Sequence, residues 1–477
     1  MTEVKQNLFI FLLTVAHVCH GQFFYTDFQE AEKWVETHSG SFQKETKQQN
    51  IWADYLSLKS INKSGHSFGS FIHFKNGLDI KGVHQKSDLI GNGLMTNYQY
   101  KSNHFQVLNS MFLTYDMHEA ERGFFRTLKN VTMYTNQAFF TVNHRIDELD
   151  FEIKGGRDFL TVGHGLDGYM FFGDYSRPFD QFTLKAEMGK FDALFSAIEL
   201  DSIMFHNRYL YAHTFGYNSN KISITIGEGV LTTGYSKSVE LKYLNPFSFW
   251  SWENVGSTNK GLNAFLYAGA TYFPRPGLRI FGEFIIDDIN FHQEDAFYLN
   301  RFGYLIGFQK TGYPFNSSNI WVEYSNVLNQ VYQSYHPTHI YTHRGFPIGH
   351  YLGNDFINLR MHYSQLLKKG RIKPFIDVSY LMDGANGLDT PFDDPWVNEK
   401  GEFLKDYDPP SHPTPPINKL MEVELGGEIN VRDLTYLTIT AQYQSKEIEN
   451  TSLSDFGLGI RFWSYLQFPL TKKTSEN

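Results

Sequence analysis

The chain has 477 residues, a formal net charge of -9 and no long basic run, which argues against nucleic acid as a partner because phosphate binding needs clustered Lys or Arg. Mean hydropathy is -0.37, and past the N-terminus no stretch approaches the ~18 apolar residues of a spanning helix, so a helical membrane protein is excluded. The wealth of 44 Phe, 29 Tyr, 7 Trp and 39 Gly suits strands, tight turns and interfacial aromatic girdles.

In chain order, residues 1–21 read as a secretory signal: Lys5 near the start, the apolar run Leu8 to Val18, and cleavage expected between Gly21 and Gln22. Cys19, the one cysteine, lies inside this segment. Acylation there is a competing reading that His17 and Val18 fit poorly. A mature chain without cysteine has neither disulfides nor thiolate metal sites. Residues 22–66 read as a short periplasmic segment, helix-like around Phe28 to Val35, expected at or in the periplasmic mouth of a strand-built barrel.

Residues 67–468 alternate apolar and polar with period two over runs of about ten residues, as strands do when one face meets lipid and the other a polar lumen. Ile222, Ile224 and Ile226 alternate with Ser223 and Thr225. Ile357, Leu359, Met361 and Tyr363 alternate with Asn358, Arg360, His362 and Ser364. Met421, Val423, Leu425, Ile429 and Val431 oppose Glu422, Glu424, Glu428 and Asn430. The fold class is thus all-β, a transmembrane antiparallel barrel with an N-terminal segment that could plug it. Candidate strands lie near 67–78, 90–100, 104–116, 136–144, 149–162, 181–188, 191–201, 221–229 and 236–245. The second half continues near 262–273, 278–289, 302–311, 319–327, 354–365, 372–382, 419–431, 434–446 and 453–463. Tight periplasmic turns such as Gly189-Lys190 and Arg432-Asp433 then alternate with the external stretches 165–180, 202–220, 246–261, 328–353 and 383–418. The last holds seven prolines and eight carboxylates and cannot be a membrane strand. Residues 469–477 form a polar tail.

Few motifs suggest chemistry. Gly163-His164-Gly165-Leu166-Asp167-Gly168 matches the dinucleotide fingerprint, but the residues after it show no helical period and include Pro178, so a loop or turn is expected and no cofactor. His336, His339, His343 and His350 have no H-E-x-x-H or cysteine partner, and no metal is expected. Glu283, Asp287 and Asp288 read as lumen or rim residues rather than a glycosidase pair. Nothing in the sequence compels catalysis, and the protein is expected not to be an enzyme. The candidate ligand residues are aromatic faces and planar hydrogen-bonding groups in two loops: Trp250, Trp252, Tyr335, His339, Tyr341, His343 and Arg344. Trp250 and Trp252 also suit a girdle or loop core.

Several stretches resemble the capsule assembly Wzi family: Gly155-Gly156-Arg157-Asp158 with the glycines up to Pro178-Phe179-Asp180, Leu241 to Phe247, Gly282-Glu283-Phe284-Ile285-Ile286-Asp287-Asp288, and His343-Arg344-Gly345-Phe346-Pro347-Ile348-Gly349-His350. The resemblance implies an 18-stranded outer-membrane barrel with a periplasmic helical plug, acting as a lectin that holds capsular polysaccharide on a Gram-negative cell. The candidate strands above are divided to that number. The 22–66 segment is short for a full helical bundle. The partners expected are capsular or exopolysaccharide, outer-membrane lipid and lipopolysaccharide, and the barrel assembly machinery during biogenesis. The alternative is a porin or transport channel with an acidic lumen.

Overall fold

The computed structural model describes residues 65–77, 93–114, 127–128, 131–251, 262–288, 301–334, 336–368, 370–390, 411–432, 435–448 and 451–469. Among them, 18 long strands follow one another: β1 Gly65–Gly77, β2 Gly93–Lys101, β3 Phe105–Thr114, β4 Val131–Ile146, β5 Leu149–Asp158, β6 Phe179–Met188, β7 Phe191–Ile203, β8 His206–Asn218 and β9 Ile222–Tyr235. Then come β10 Leu262–Arg275, β11 Leu278–Asp288, β12 Arg301–Thr311, β13 Ser318–Val327, β14 Phe356–Gln365, β15 Ile372–Asp383, β16 Asn418–Arg432, β17 Thr435–Ile448 and β18 Thr451–Pro469. Each pairs antiparallel with the next, and β18 pairs back onto β1 from Gly459↔Gly77 to Pro469↔Ser67. Among the described residues no helix is long and apolar enough to cross a membrane.

The alternation expected from sequence decides which face is which. On β14, Leu359 and Met361 are exposed outward, whereas Asn358, His362 and Ser364 are buried inward. On β16, Met421, Leu425, Ile429 and Val431 point out, while Glu422 and Glu428 are buried. On β11 the odd positions Arg279, Phe281, Glu283 and Ile285 face in and Ile280 and Phe284 face out. This is the two-fold period of a barrel with a lipid belt.

Two of the expected elements are corrected, and they offset each other in the count. Residues 202–220 are not a long external loop. They hold β8, joined to β7 by the two-residue turn Met204-Phe205, whose positive φ values of 50 and 63 match a tight hairpin turn. Conversely, 236–245 is not a strand; Leu241–Leu244 is a 3-10 turn within one long connection after β9. The first difference has a physical cause. From Arg208 to Thr214 every residue of β8 is buried on whichever face it points to, so the alternation that marks the other strands is absent. β18 also runs past the expected 463 to Pro469, placing Phe468 opposite Phe68 near the strand end.

The main apolar core lies inside the barrel. It joins inward residues of β7 to β14, such as Ile198, Leu210, Leu231, Phe265, Phe281, Leu305 and Phe356, to residues of two external connections, 159–178 and 328–355. At the outer end of the opposite wall, residues 451–456 of β18 are exposed.

Candidate functional site

The first inserted connection leaves β5 at Asp158 and closes on itself through a bridge between Val162 and Phe172. Its tip is held by two carboxylates from the barrel wall. Glu283 of β11 accepts hydrogen bonds from the backbone N–H of His164, of Gly165 at 2.6 Å and of Met170 at 2.7 Å. Glu323 of β13 accepts from Leu166 at 2.7 Å, Asp167 at 3.1 Å and Gly168 at 2.8 Å. A glycine-rich run whose amides converge forms an anion-binding concavity. The dinucleotide-like motif therefore grips anions that belong to its own barrel, and the turn expected from sequence is what forms. The glycines are demanded by space: a Cβ on Gly165 would lie 1.8 Å from the Gly168 carbonyl oxygen, and one on Gly168 would lie 2.2 Å from His350 Nε2.

Side chains complete the anchorage. His164 contacts Thr271 Oγ1 at 2.9 Å and Thr225 Oγ1 at 3.1 Å through its two ring nitrogens, and Arg279 donates to its carbonyl. Asp167 accepts from Tyr351 Oη at 2.8 Å and from Arg360 Nη1 at 3.0 Å, while Arg360 also faces Asp377 at 3.5 Å. The second connection packs on the first. Tyr332 Oη donates to the Met170 carbonyl at 2.6 Å, Tyr341 Oη to the Phe171 carbonyl at 3.0 Å, and Gly173 N to the Ile348 carbonyl at 2.6 Å. Burial raises both phenols far above the ordinary tyrosine range, so they act as neutral donors at any physiological pH.

One buried arginine positions the segment in which the histidines lie. Arg208 of β8 is fully buried, donates through Nε to the Thr338 carbonyl at 2.8 Å and through Nη2 to the Ile340 carbonyl, and pairs with Asp201 at 3.2 Å. Asp201 in turn meets His343 Nδ1 at 3.2 Å and accepts from the Arg344 N–H at 3.0 Å. A third connection is tied in by Asp355, which accepts from Asn386 N and Thr414 N at 3.0 Å each and faces His412 Nδ1 at 3.4 Å. Three external connections thus form one cross-braced cap over the wall from β6 to β15.

By sequence, no family model and no curated protein matches the chain. By structure, the chain is similar to Wzi, an outer-membrane protein involved in group 1 capsule assembly in Escherichia coli and described as a carbohydrate-binding β-barrel. The match covers 96% of this chain and 100% of that one, with a TM-score of 0.66 and 13% identity. The fold is that of the Wzi barrel. A weaker likeness extends to OccD3 of Pseudomonas aeruginosa, at a TM-score of 0.45 and 11% identity over 85% of this chain and 92% of that one. Another extends to OccAB4 of Acinetobacter baumannii, at 0.46 and 9% over 85% and 99%. What the first of these likenesses shows is the fold, a β-barrel like that of an outer-membrane protein.

The seven residues singled out from sequence do not gather at one surface. Trp252 and Tyr335 lie outside the described residues. Tyr341 is fully buried, its ring 4.5 Å from Phe265 and 5.6 Å from Tyr332 between centroids. His339, His343 and Arg344 are buried at the Arg208–Asp201 anchor, and burial lowers the His343 ring below the ordinary imidazole range despite its Asp201 partner. Trp250 is 0% exposed and belongs to a separate cluster with Phe195, Tyr211 and Tyr243. Stacking on a sugar needs an open ring face, and in these residues protein occupies it. Sequence reasoning missed Arg208, because it read 202–220 as loop, and gave no role to Asp201, at the end of the expected strand 191–201, or to Glu323. For Arg208 and Glu323 the available signal was a lone charge on the inward face of an otherwise uncharged strand.

Proposed function

We propose that this protein is a non-enzymatic outer-membrane lectin that holds capsular or exopolysaccharide on the cell surface. The observation that carries the reading is the cap: three external connections are braced to one another and to wall carboxylates, so the barrel serves as a rigid mount for its outer loops. Ordered loops on a rigid scaffold are how proteins present ligand contacts at low entropic cost. The likeness in fold to a barrel described as carbohydrate-binding supports the same reading.

In this proposal the buried members of the sequence-derived set, Tyr341, His339, His343, Arg344 and Trp250, shape the loops, and the glycan lies on their outer side. There, His336 and Pro337 are exposed among the described residues, next to Tyr335. Trp252 remains a proposed contact from the other loop. The chain would reach the membrane after removal of residues 1–21, fold with the barrel assembly machinery, and sit among lipid and lipopolysaccharide.

The test compares cell-bound with released polysaccharide at equal total synthesis in a strain lacking the gene. Glycan should move into the medium and return to the cell with the intact gene, but not with one in which 328–353 is replaced by a short turn. An unchanged distribution would overturn the proposal, and ion conductance in planar bilayers would then be the reading to pursue.

A further inference from the structure

The register of β7 to β10 puts one group of polar and aromatic residues on the wrong face for a bare barrel wall. Phe215 and Ile226 are paired and exposed, in the outward belt. Two residues further toward the outer end, the same outward face carries His213, Glu228 and Phe195, then Tyr211 and Val230, then Tyr209 and Thr232. On this face these side chains should be as exposed as Ile226, yet all are buried. The opposite face of the same strands, with Leu210, Leu231 and Phe265, is accounted for by the lumen core.

What covers them is the connection after β9, folded back down the outside of the barrel. Its path can be traced by contacts. At the outer end of β8, Asn207 Nδ2 donates to the Lys237 carbonyl at 2.8 Å. Lower down, Glu240 N donates to Tyr211 Oη at 2.9 Å and the Tyr243 ring lies 5.0 Å from that of Tyr211. Lower again, the Trp250 ring is 4.2 Å from His213, and Glu228 accepts from Trp250 N at 3.0 Å and from Ser251 N while facing His213 Nε2 at 3.3 Å. Glu228 is six residues above Ile222, which at about 3.4 Å per residue and a tilt of about 40° is roughly 15 Å up a belt about 25 Å tall. The most exposed side chains of this segment are apolar: Leu241, Phe247 and Phe249 are 79%, 81% and 73% exposed, with Val239 and Leu244 beside them, while the exposed Lys242 pairs with Glu240 at 3.4 Å.

We propose that residues 236–251 form a flap immersed in the outer leaflet, with Leu241, Phe247 and Phe249 touching lipid acyl chains and Tyr243 and Trp250 sealing the Glu228–His213 pair against the barrel. Lipid is the occupant because the exposed side chains continue the outward belt of Phe215 and Ile226, at a height where an aqueous surface would leave them unfavourably wet. The flap also explains why a carboxylate can stand on a lipid-facing strand at all: its oxygens are met by two backbone N–H groups and an imidazole, out of contact with hydrocarbon. The inference rests on the membrane setting of the fold and is independent of what the outer loops bind.

The test uses the full chain with its single cysteine, Cys19, changed to Ser, carrying Phe247→Cys, Phe249→Cys or Leu241→Cys. Each is spin-labelled, reconstituted in liposomes and read in the folded fraction identified by heat-modifiable gel mobility. Accessibility to oxygen, which concentrates in hydrocarbon, is compared with accessibility to a water-soluble nickel complex. Ile226→Cys is the lipid reference, and Asp389→Cys, on an external loop, is the water reference. The flap labels should match Ile226 and exceed the Asp389 ratio several-fold. A ratio like that of Asp389 would overturn the proposal, as would protection from both relaxants, which would mean that a second protein surface covers the patch.

Discussion

Removing the two wall carboxylates together tests how the cap is held. Glu283→Ala with Glu323→Ala leaves the six N–H groups of His164, Gly165, Leu166, Asp167, Gly168 and Met170 without their acceptors. A hydrogen bond to a charged group contributes about 1.5–3 kcal/mol, so the pair supplies on the order of 10 kcal/mol of attachment before solvent compensation. The tip can regain water only by leaving its site, so the expected result is release of 159–178 and not collapse of the barrel. The 18 strands keep their own ladders, and heat-modifiable mobility should persist. Thermolysin should then cut within 159–178, and planar-bilayer conductance should rise over that of the parent. Glu283→Gln should fall between: its oxygen can still accept two of the three bonds, but its NH2 must then face the N–H of Met170. If the double variant stays as protease-resistant and as low in conductance as the parent, the carboxylates do not hold the tip.

Arg208→Met should loosen 336–344 and lower the thermal midpoint of the folded barrel, because it strands Asp201 and two loop carbonyls. Losing one partner of a buried pair costs about 3–5 kcal/mol, and Arg208→Lys should rescue little, since a lysine cannot fork to both carbonyls. Asp355 is buried, which pushes its carboxyl up, but His412 and the Thr414 and Asn386 amides outweigh that and hold it below the ordinary carboxylate value. A depressed carboxyl stabilises the folded cap above its unfolded pKa of about 3.9 and loses that contribution as pH falls through the lower folded value. Amide exchange at 411–417 should therefore stay slow down to about pH 4 and quicken below it, and Asp355→Asn should be fast already at pH 7. Gly165→Ala places a methyl on the Gly168 carbonyl and should raise conductance, whereas Gly387→Ala, which meets nothing, should leave it unchanged in the same bilayer assay.

Alternation alone made the barrel legible, because a strand between lipid and a polar lumen must change character at every residue. It showed Ile222, Ile224 and Ile226 as outward, and Glu422 and Glu428 as inward. It failed at β8, where the lumen core buries Leu210 from one side and the 236–251 segment buries Tyr211 from the other, erasing the period. The candidate site was less legible for a related reason. Tyr341, His339, His343 and Arg344 stand in a polar, aromatic loop that reads as surface. Only the tertiary structure turns them inward, because Arg208 and Asp201 reach their loop, and Glu283 and Glu323 hold the 164–170 tip on which it packs, each from a strand more than a hundred residues away in the chain from the segment it holds. Local sequence carries the period of a strand and the glycines of a turn. Which polar group faces which buried partner depends on closing the sheet, and that is settled only when distant strands meet.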